Sequence, residues 1–166
     1  PETLTRLAEL TQSRPADFLL WNGDVTNNIN RESMIPGLFL QPRGGVDLAK
    51  GAPIFLNRGN HDVRGAQANR LPGYVAYPDG QAYYSFRCGP VGAIVLDTGE
   101  DKPDDHPSFL GLVDFARFID EQARWLDAEI TKPHLKDAPY RLIFCHIPLR
   151  WTDETPPDYA NGGYDY

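Results

Sequence analysis

The sequence predicts an α/β fold, and three observations carry that prediction. Short apolar runs, "FLLW" at 18–21, "PIFL" at 53–56, "GAIVL" at 92–96 and "LIFC" at 142–145, alternate with stretches of helical period. The first run is continuous, the pattern of a strand buried on both faces. Three of the runs lead into residues that can ligate a metal or move a proton: Asp24, then Asn60 and His61, then His146. Ligands of open α/β sheets gather beyond the carboxyl ends of the strands. These residues, far apart in sequence, are therefore expected on one sheet edge.

Each element has its own signal. Residues 1–15 read as a helix, with Leu4, Leu7, Ala8 and Leu10 on one apolar face and Pro15 as the stop. Phe18 to Trp21 is the first strand. Residues 26–50 hold room for a short helix, interrupted by Pro36 and Pro42. Ile54 to Leu56 is the second strand, and 63–80 is loop with a short helix. Tyr83 to Arg87 and Val91 to Leu96 form a hairpin around Cys88-Gly89-Pro90. The acidic stretch 100–105 reads as a solvated loop. Phe115, Ile119, Ala123, Leu126 and Ile130 recur at helical spacing and are expected in the core, with Pro133 ending that helix. The last strand ends at His146, and a loop rich in Pro, Gly and Tyr follows. No internal repeat or linker is visible, so residues 1–166 are expected to form a single domain.

Composition bounds the function. Hydrophobic residues make up 41 % and charged residues 23 %, as in a soluble globular protein. The net charge of −7 disfavours nucleic acid and anionic membranes as partners. No apolar run approaches the roughly 20 residues needed to span a bilayer. Cys88 and Cys145 form no CxxC and are read as free thiols.

Carboxylate, amide oxygen and imidazole together suit a hard-to-borderline metal such as Mn, Fe or Zn. Asp24 could bridge two ions, with Asn60 and His146 as further ligands. Two ions about 3.5–4 Å apart generate hydroxide at neutral pH and clamp a phosphoryl group during in-line attack. Asp62 directly follows His61 and is placed to orient or charge its ring, so that the ring can donate a proton to a leaving alkoxide. Arg58 either holds the turn through a backbone bond or contacts substrate. Asp97 reads as a structural acid, and His106 and His134 as exposed. Trp151, Tyr159, Tyr164 and Tyr166 either wall a pocket or pack on the surface.

The motifs "NGD" at 22–24, "RGNHD" at 58–62 and "FCHIP" at 144–148 resemble the calcineurin-like metallophosphoesterases. Asp24 and Asn60 are 36 residues apart, and Asn60 and His146 are 86 apart, in the order that family uses. The hairpin and the long helix are similar to the family's as well. The resemblance implies a four-layer αββα sandwich of the metallo-dependent phosphatase type. It implies two metal ions (Mn, Fe or Zn), with Asp24 bridging them and Asn60 and His146 binding the second. It makes His61 the general acid or phosphate binder, supported by Asp62, with Arg58, Asn60 and His61 at the substrate. The expected substrate is a small phosphate mono- or diester, attacked by a metal-bridging hydroxide.

The family also carries an Asp-x-His before its Gly-Asp and a Gly-His-x-His after its single His. Neither stands in these places here, and "DDH" at 104–106 is out of order. A chain truncated at both ends is the expectation. The competing reading is a degenerate or truncated member acting as a non-catalytic binding or scaffold module. A nuclease is a third, disfavoured because no Lys/Arg stripe is visible.

Overall fold

A computed structural model of the chain describes residues 5–6, 9–10, 13–14, 16–41 and 52–149. The chain divides into two units, Pro1–Ala82 and Tyr83–Tyr166. No helix among the described residues is long and apolar enough to cross a membrane.

In the first unit, β1 (Leu19–Asn22) and β2 (Ile54–Asn57) pair in parallel, from Leu19 opposite Ile54 to Asn22 opposite Asn57. The apolar runs form strands as expected, but β1 is not buried on both faces. Leu19, Leu20 and Trp21 are only half-buried, because among the described residues β1 pairs with β2 alone. The core lies instead around Ile29, Ile35, Phe39, Leu56, Ala68 and Leu71, with Trp21 packed against it. Trp21 donates its indole N–H to the Phe39 carbonyl at 3.0 Å, which satisfies the one polar atom it brings inside.

Pro36 does not break the helix expected in 26–50. It opens a wide turn over Pro36–Leu40, closed by Gln41 N–H to the Pro36 carbonyl at 2.8 Å. At the start of a helical turn the missing proline N–H costs nothing. Residues 68–73 and 78–80 form short three-ten turns. Of the helix expected over 1–15, Thr5, Arg6, Glu9, Leu10 and Ser13 are helical, and Leu10 is exposed. Leu4, Leu7, Ala8, Pro15 and Pro42 lie outside the described residues, as do Trp151, Tyr159, Tyr164 and Tyr166.

The second unit holds the expected hairpin. β3 (Tyr84–Cys88) runs antiparallel to β4 (Val91–Leu96) across Gly89-Pro90. β4 is central, with β5 (Tyr140–Cys145) parallel on its other side. Between them come α1 (Phe115–Glu129) and the single turn α2 (Pro133–Lys136). Pro133 therefore opens a new turn rather than merely ending the long helix. Ile94, Leu96 and Leu135 form the core, with Trp125, Leu126 and Cys145 against it. Both cysteines are half-buried.

Three expectations change here. Ala123 and Ile130 are exposed, while Gln122 and Glu129 are buried. The inward face runs through Phe118, Gln122, Trp125 and Glu129, and Tyr83 packs on Phe118 and Trp125 at centroid distances of 5.6 and 5.0 Å. The acidic loop is not simply solvated. Glu100 is buried, and the two oxygens of Asp104 accept the Phe115 and Ala116 N–H groups at 2.9 and 3.0 Å. With Asp114 accepting from Arg117 N–H, two carboxylates satisfy the first amides of α1, where the helix dipole favours negative charge. Finally, His106 and His134 are half-buried rather than exposed. His106 Nδ1 accepts from Ser108 N–H, and His134 Nε2 lies 2.6 Å from the Ser85 hydroxyl.

Candidate active site

Immediately beyond β1, Gly23 and Asp24 both take left-handed backbone angles, with φ of 81° and 53°. Such a pair reverses the chain sharply, and Asp is among the few side chains that tolerate it. Immediately beyond β2, residues 59–64 form a second turn, with Asp62 N–H bonded to the Gly59 carbonyl and Arg64 N–H to the His61 carbonyl, both at 3.1 Å. Parallel pairing of β1 with β2 sets the two turns side by side at one sheet edge. The contact is close. A Cβ on Gly59 would stand 2.3 Å from Asp24 Oδ1 and 2.6 Å from Asp24 N, so only glycine fits.

Asp62 joins the turns. Its Oδ2 accepts the N–H of Gly59 at 2.9 Å and the N–H of Asp24 at 3.0 Å. Asp24 answers with Oδ1, which accepts the His61 N–H at 3.0 Å. Beneath them Asn57 donates to Asn22 Oδ1 at 2.7 Å, tying the last strand residues together. Asp62 is fully buried. Burial pushes its carboxyl above the usual range, the bonds from Gly59 and Asp24 pull it back, and the neighbouring Asp24 charge pushes it up again. The expected role of Asp62 was to orient the His61 ring. The structure instead spends the carboxylate on main-chain amides.

The His61 ring has other neighbours. Nδ1 lies 3.2 Å from the Asn27 carbonyl oxygen. A carbonyl only accepts, so Nδ1 carries the proton in that bond, and Nε2 is the ring nitrogen that meets Arg64 and Asp24. Nε2 is 4.0 Å from Asp24 Oδ2, and both side chains are about one-third exposed. Arg64 Nη1 stands 3.1 Å from Nε2 and 3.3 Å from Nδ1. A nitrogen that close to both would overlap Cε1 if it lay in the ring plane, so the guanidinium stands over the ring face. Neither Asn27 nor Arg64 was singled out from the sequence. Asn27 contributes only its main chain, which no motif marks. Arg64 stood three residues after His61 in "RGNHDVRG" but carried no signal without the turn.

Asn60 is buried at the same turn, and Arg58 is half-buried one residue before Gly59. In the second unit, His146 directly follows β5 and is half-buried. Its neighbour Ile147 donates N–H to Thr98 Oγ1 at 3.0 Å. Asp97, beyond β4, has the structural role expected of it. Its N–H and C=O are both held by the Gln122 side-chain amide, at 2.8 and 3.0 Å, and its carboxylate accepts Gly99 N–H at 2.9 Å.

The family model for the calcineurin-like phosphoesterases matches residues 1–165. The chain belongs to that family. No curated protein and no solved structure matches it. Membership of the calcineurin-like phosphoesterases implies an α/β fold and metal-dependent phosphoester hydrolysis, and the mixed strands and helices accord with the former. Among the described residues of this family member, no three His, Cys, Asp or Glu side chains cluster closely enough to hold a metal ion. The first unit does supply two oxygen donors on adjoining turns, the Asp24 carboxylate, about one-third exposed, and the Asn60 amide. That donor chemistry fits part of a divalent site.

Proposed function

We propose that this chain acts in a dinuclear-metal phosphoesterase that hydrolyses a small phosphate mono- or diester, within a four-layer αββα sandwich. The observation that carries the reading is the Asp62 joint, which presents Asp24, Asn60 and His61 together at the ends of two parallel strands. Asp24, Asn60 and His146 are the metal ligands of this proposal. Two bound ions would lower the pKa of water and neutralise phosphoryl charge. Asp24 accepts the His61 main-chain N–H and so holds that residue at the site. The ring of His61 is oriented by its Nδ1–H bond to Asn27; in its doubly protonated form Nε2–H would bond a phosphoryl oxygen or pass that proton to the leaving alkoxide, the ring ending as the neutral Nδ1–H tautomer. Asp62 acts through the turns it joins, and Arg58 lies close enough in sequence to serve the substrate.

The test is metal content per chain by plasma mass spectrometry, after chelation, reloading with Mn or Fe and desalting, followed by hydrolysis of para-nitrophenyl phosphate. About two ions per chain are expected. His61→Ala should keep the metal and lose roughly 10²–10⁴-fold in kcat, whereas Asp24→Asn and His146→Ala should each lower the metal content. Metal retained without hydrolysis would favour the second reading, a non-catalytic binding or scaffold module.

A further inference from the structure

Arg64 is held in place twice over by its main chain. Its N–H donates to the His61 carbonyl at 3.1 Å, and its carbonyl accepts the Ile29 N–H at 2.8 Å. The Ile29 carbonyl in turn accepts Gln67 N–H at 2.8 Å. Gly65, at φ 105°, lets the two segments touch, since a Cβ there would meet Ile29 backbone atoms at 2.6–2.7 Å. The turn thus has its own fastening, independent of the Arg64 side chain. That side chain lies over His61, its Nη1 within 3.3 Å of both ring nitrogens. The Arg64 cation therefore stands beside Nε2, and Asp24 Oδ2 is 4.0 Å from the same nitrogen.

We propose that Arg64 is a specificity residue that binds the phosphoryl group beside His61 and favours phosphate monoesters over diesters. The inference rests on the phosphoesterase reading above. A guanidinium presents a planar fork of donors that matches two phosphoryl oxygens at once. A monoester near neutral pH offers three terminal oxygens and nearly two charges, whereas a diester offers two oxygens and one charge. A cation next to Nε2 therefore gains more from the monoester, and in a partly desolvated turn the difference is not lost to water.

The experiment compares the metal-loaded wild-type chain with Arg64→Ala and Arg64→Lys. Three readouts are taken: kcat/KM for para-nitrophenyl phosphate, kcat/KM for bis-para-nitrophenyl phosphate, and calorimetric affinity for inorganic phosphate. Arg64→Ala should lose roughly 10- to 100-fold in the monoester and phosphate measurements, the scale of a charge-assisted contact, with the diester changed by no more than about threefold. Arg64→Lys should recover part of the loss, because charge returns without the fork. Equal losses on both esters, or no loss on either, would overturn the proposal. If the wild-type chain hydrolyses neither ester, the phosphoesterase reading fails, and phosphate affinity alone decides Arg64. Affinity that depends on Arg64 keeps its phosphoryl contact, and unchanged affinity removes it.

Discussion

Gly59 and Asp62 bear most of the geometry of the site, though neither contributes a donor to a metal. Gly59→Ala forces a Cβ to 2.3 Å from Asp24 Oδ1 and 2.6 Å from the Asp24 amide nitrogen, and the second clash cannot relax without moving backbone. We expect a loss of more than about 2 kcal/mol in urea unfolding, the range of strained or overpacked positions. Asp62→Ala strips the acceptor from two amides, Gly59 and Asp24. The expected loss is about 3 kcal/mol or more, because each bond to a charged group is worth about 1.5–3 kcal/mol. Asp62→Asn is the sharper comparison. It keeps the shape and, since both amides bond the single oxygen Oδ2, an Asn carbonyl oxygen there can still accept both, so its loss in the same urea unfolding should be smaller than that of Asp62→Ala and reports the charge alone. "RGNHD" was readable as a site because the ligand types stand side by side. What Asp62 does was not readable, since a carboxylate's partners here are main-chain amides that carry no sequence identity. His61 is similar: its residue type was plain, and its ring partners were not.

Among the elements, the hairpin of β3 and β4 followed directly from the apolar runs and the Gly89-Pro90 turn, because both signals are local. The face of α1 did not. Of the period read as Phe115, Ile119, Ala123, Leu126 and Ile130, Leu126 packs on the core and Phe115 and Ile119 are half-buried, but Ala123 and Ile130 face out, and the inward face includes polar Gln122 and Glu129, whose burial rests on tertiary hydrogen bonds. Gln122→Ala should cost about 1–3 kcal/mol in thermal or denaturant unfolding, because it leaves both main-chain groups of Asp97 without their partner. Glu129 accepts from the Ser85 hydroxyl at 2.7 Å and pairs with Lys132 at 2.6 Å. Burial opposes its ionisation, but Lys132, Ser85 and His134 together outweigh burial and hold its carboxyl below the usual range. With the folded pKa below the unfolded one, Glu129 contributes stability above the ordinary glutamate value. That contribution is lost as pH falls through the lowered value. Unfolding midpoints measured across this acidic window should fall more steeply in the wild-type chain than in Glu129→Gln. Parallel curves would remove Glu129 from the acid response.

On the scale of the whole molecule, the proposed ligands are spread along the chain, with Asp24 and Asn60 in the first unit and His146 in the second. A metal that binds only the folded chain raises its stability by about 2.7 kcal/mol at a hundred times its Kd. Adding Mn should therefore raise the melting temperature of the wild-type chain, and the rise should shrink in Asp24→Asn and in His146→Ala. A rise that survives both substitutions would place the ion elsewhere. By itself the sequence determined the α/β class, the strands and the order of the motifs, since these rest on local periodicity and on residue types at strand ends. It also carried the resemblance that the family match bears out. The tertiary structure alone decided that Asp62 fastens two turns, that Arg64 lies over His61, that His134 meets Ser85, and which face of α1 turns inward. Each of these depends on which main-chain amide or distant side chain arrives beside a residue. That is a property of the folded path, which no single stretch of sequence encodes.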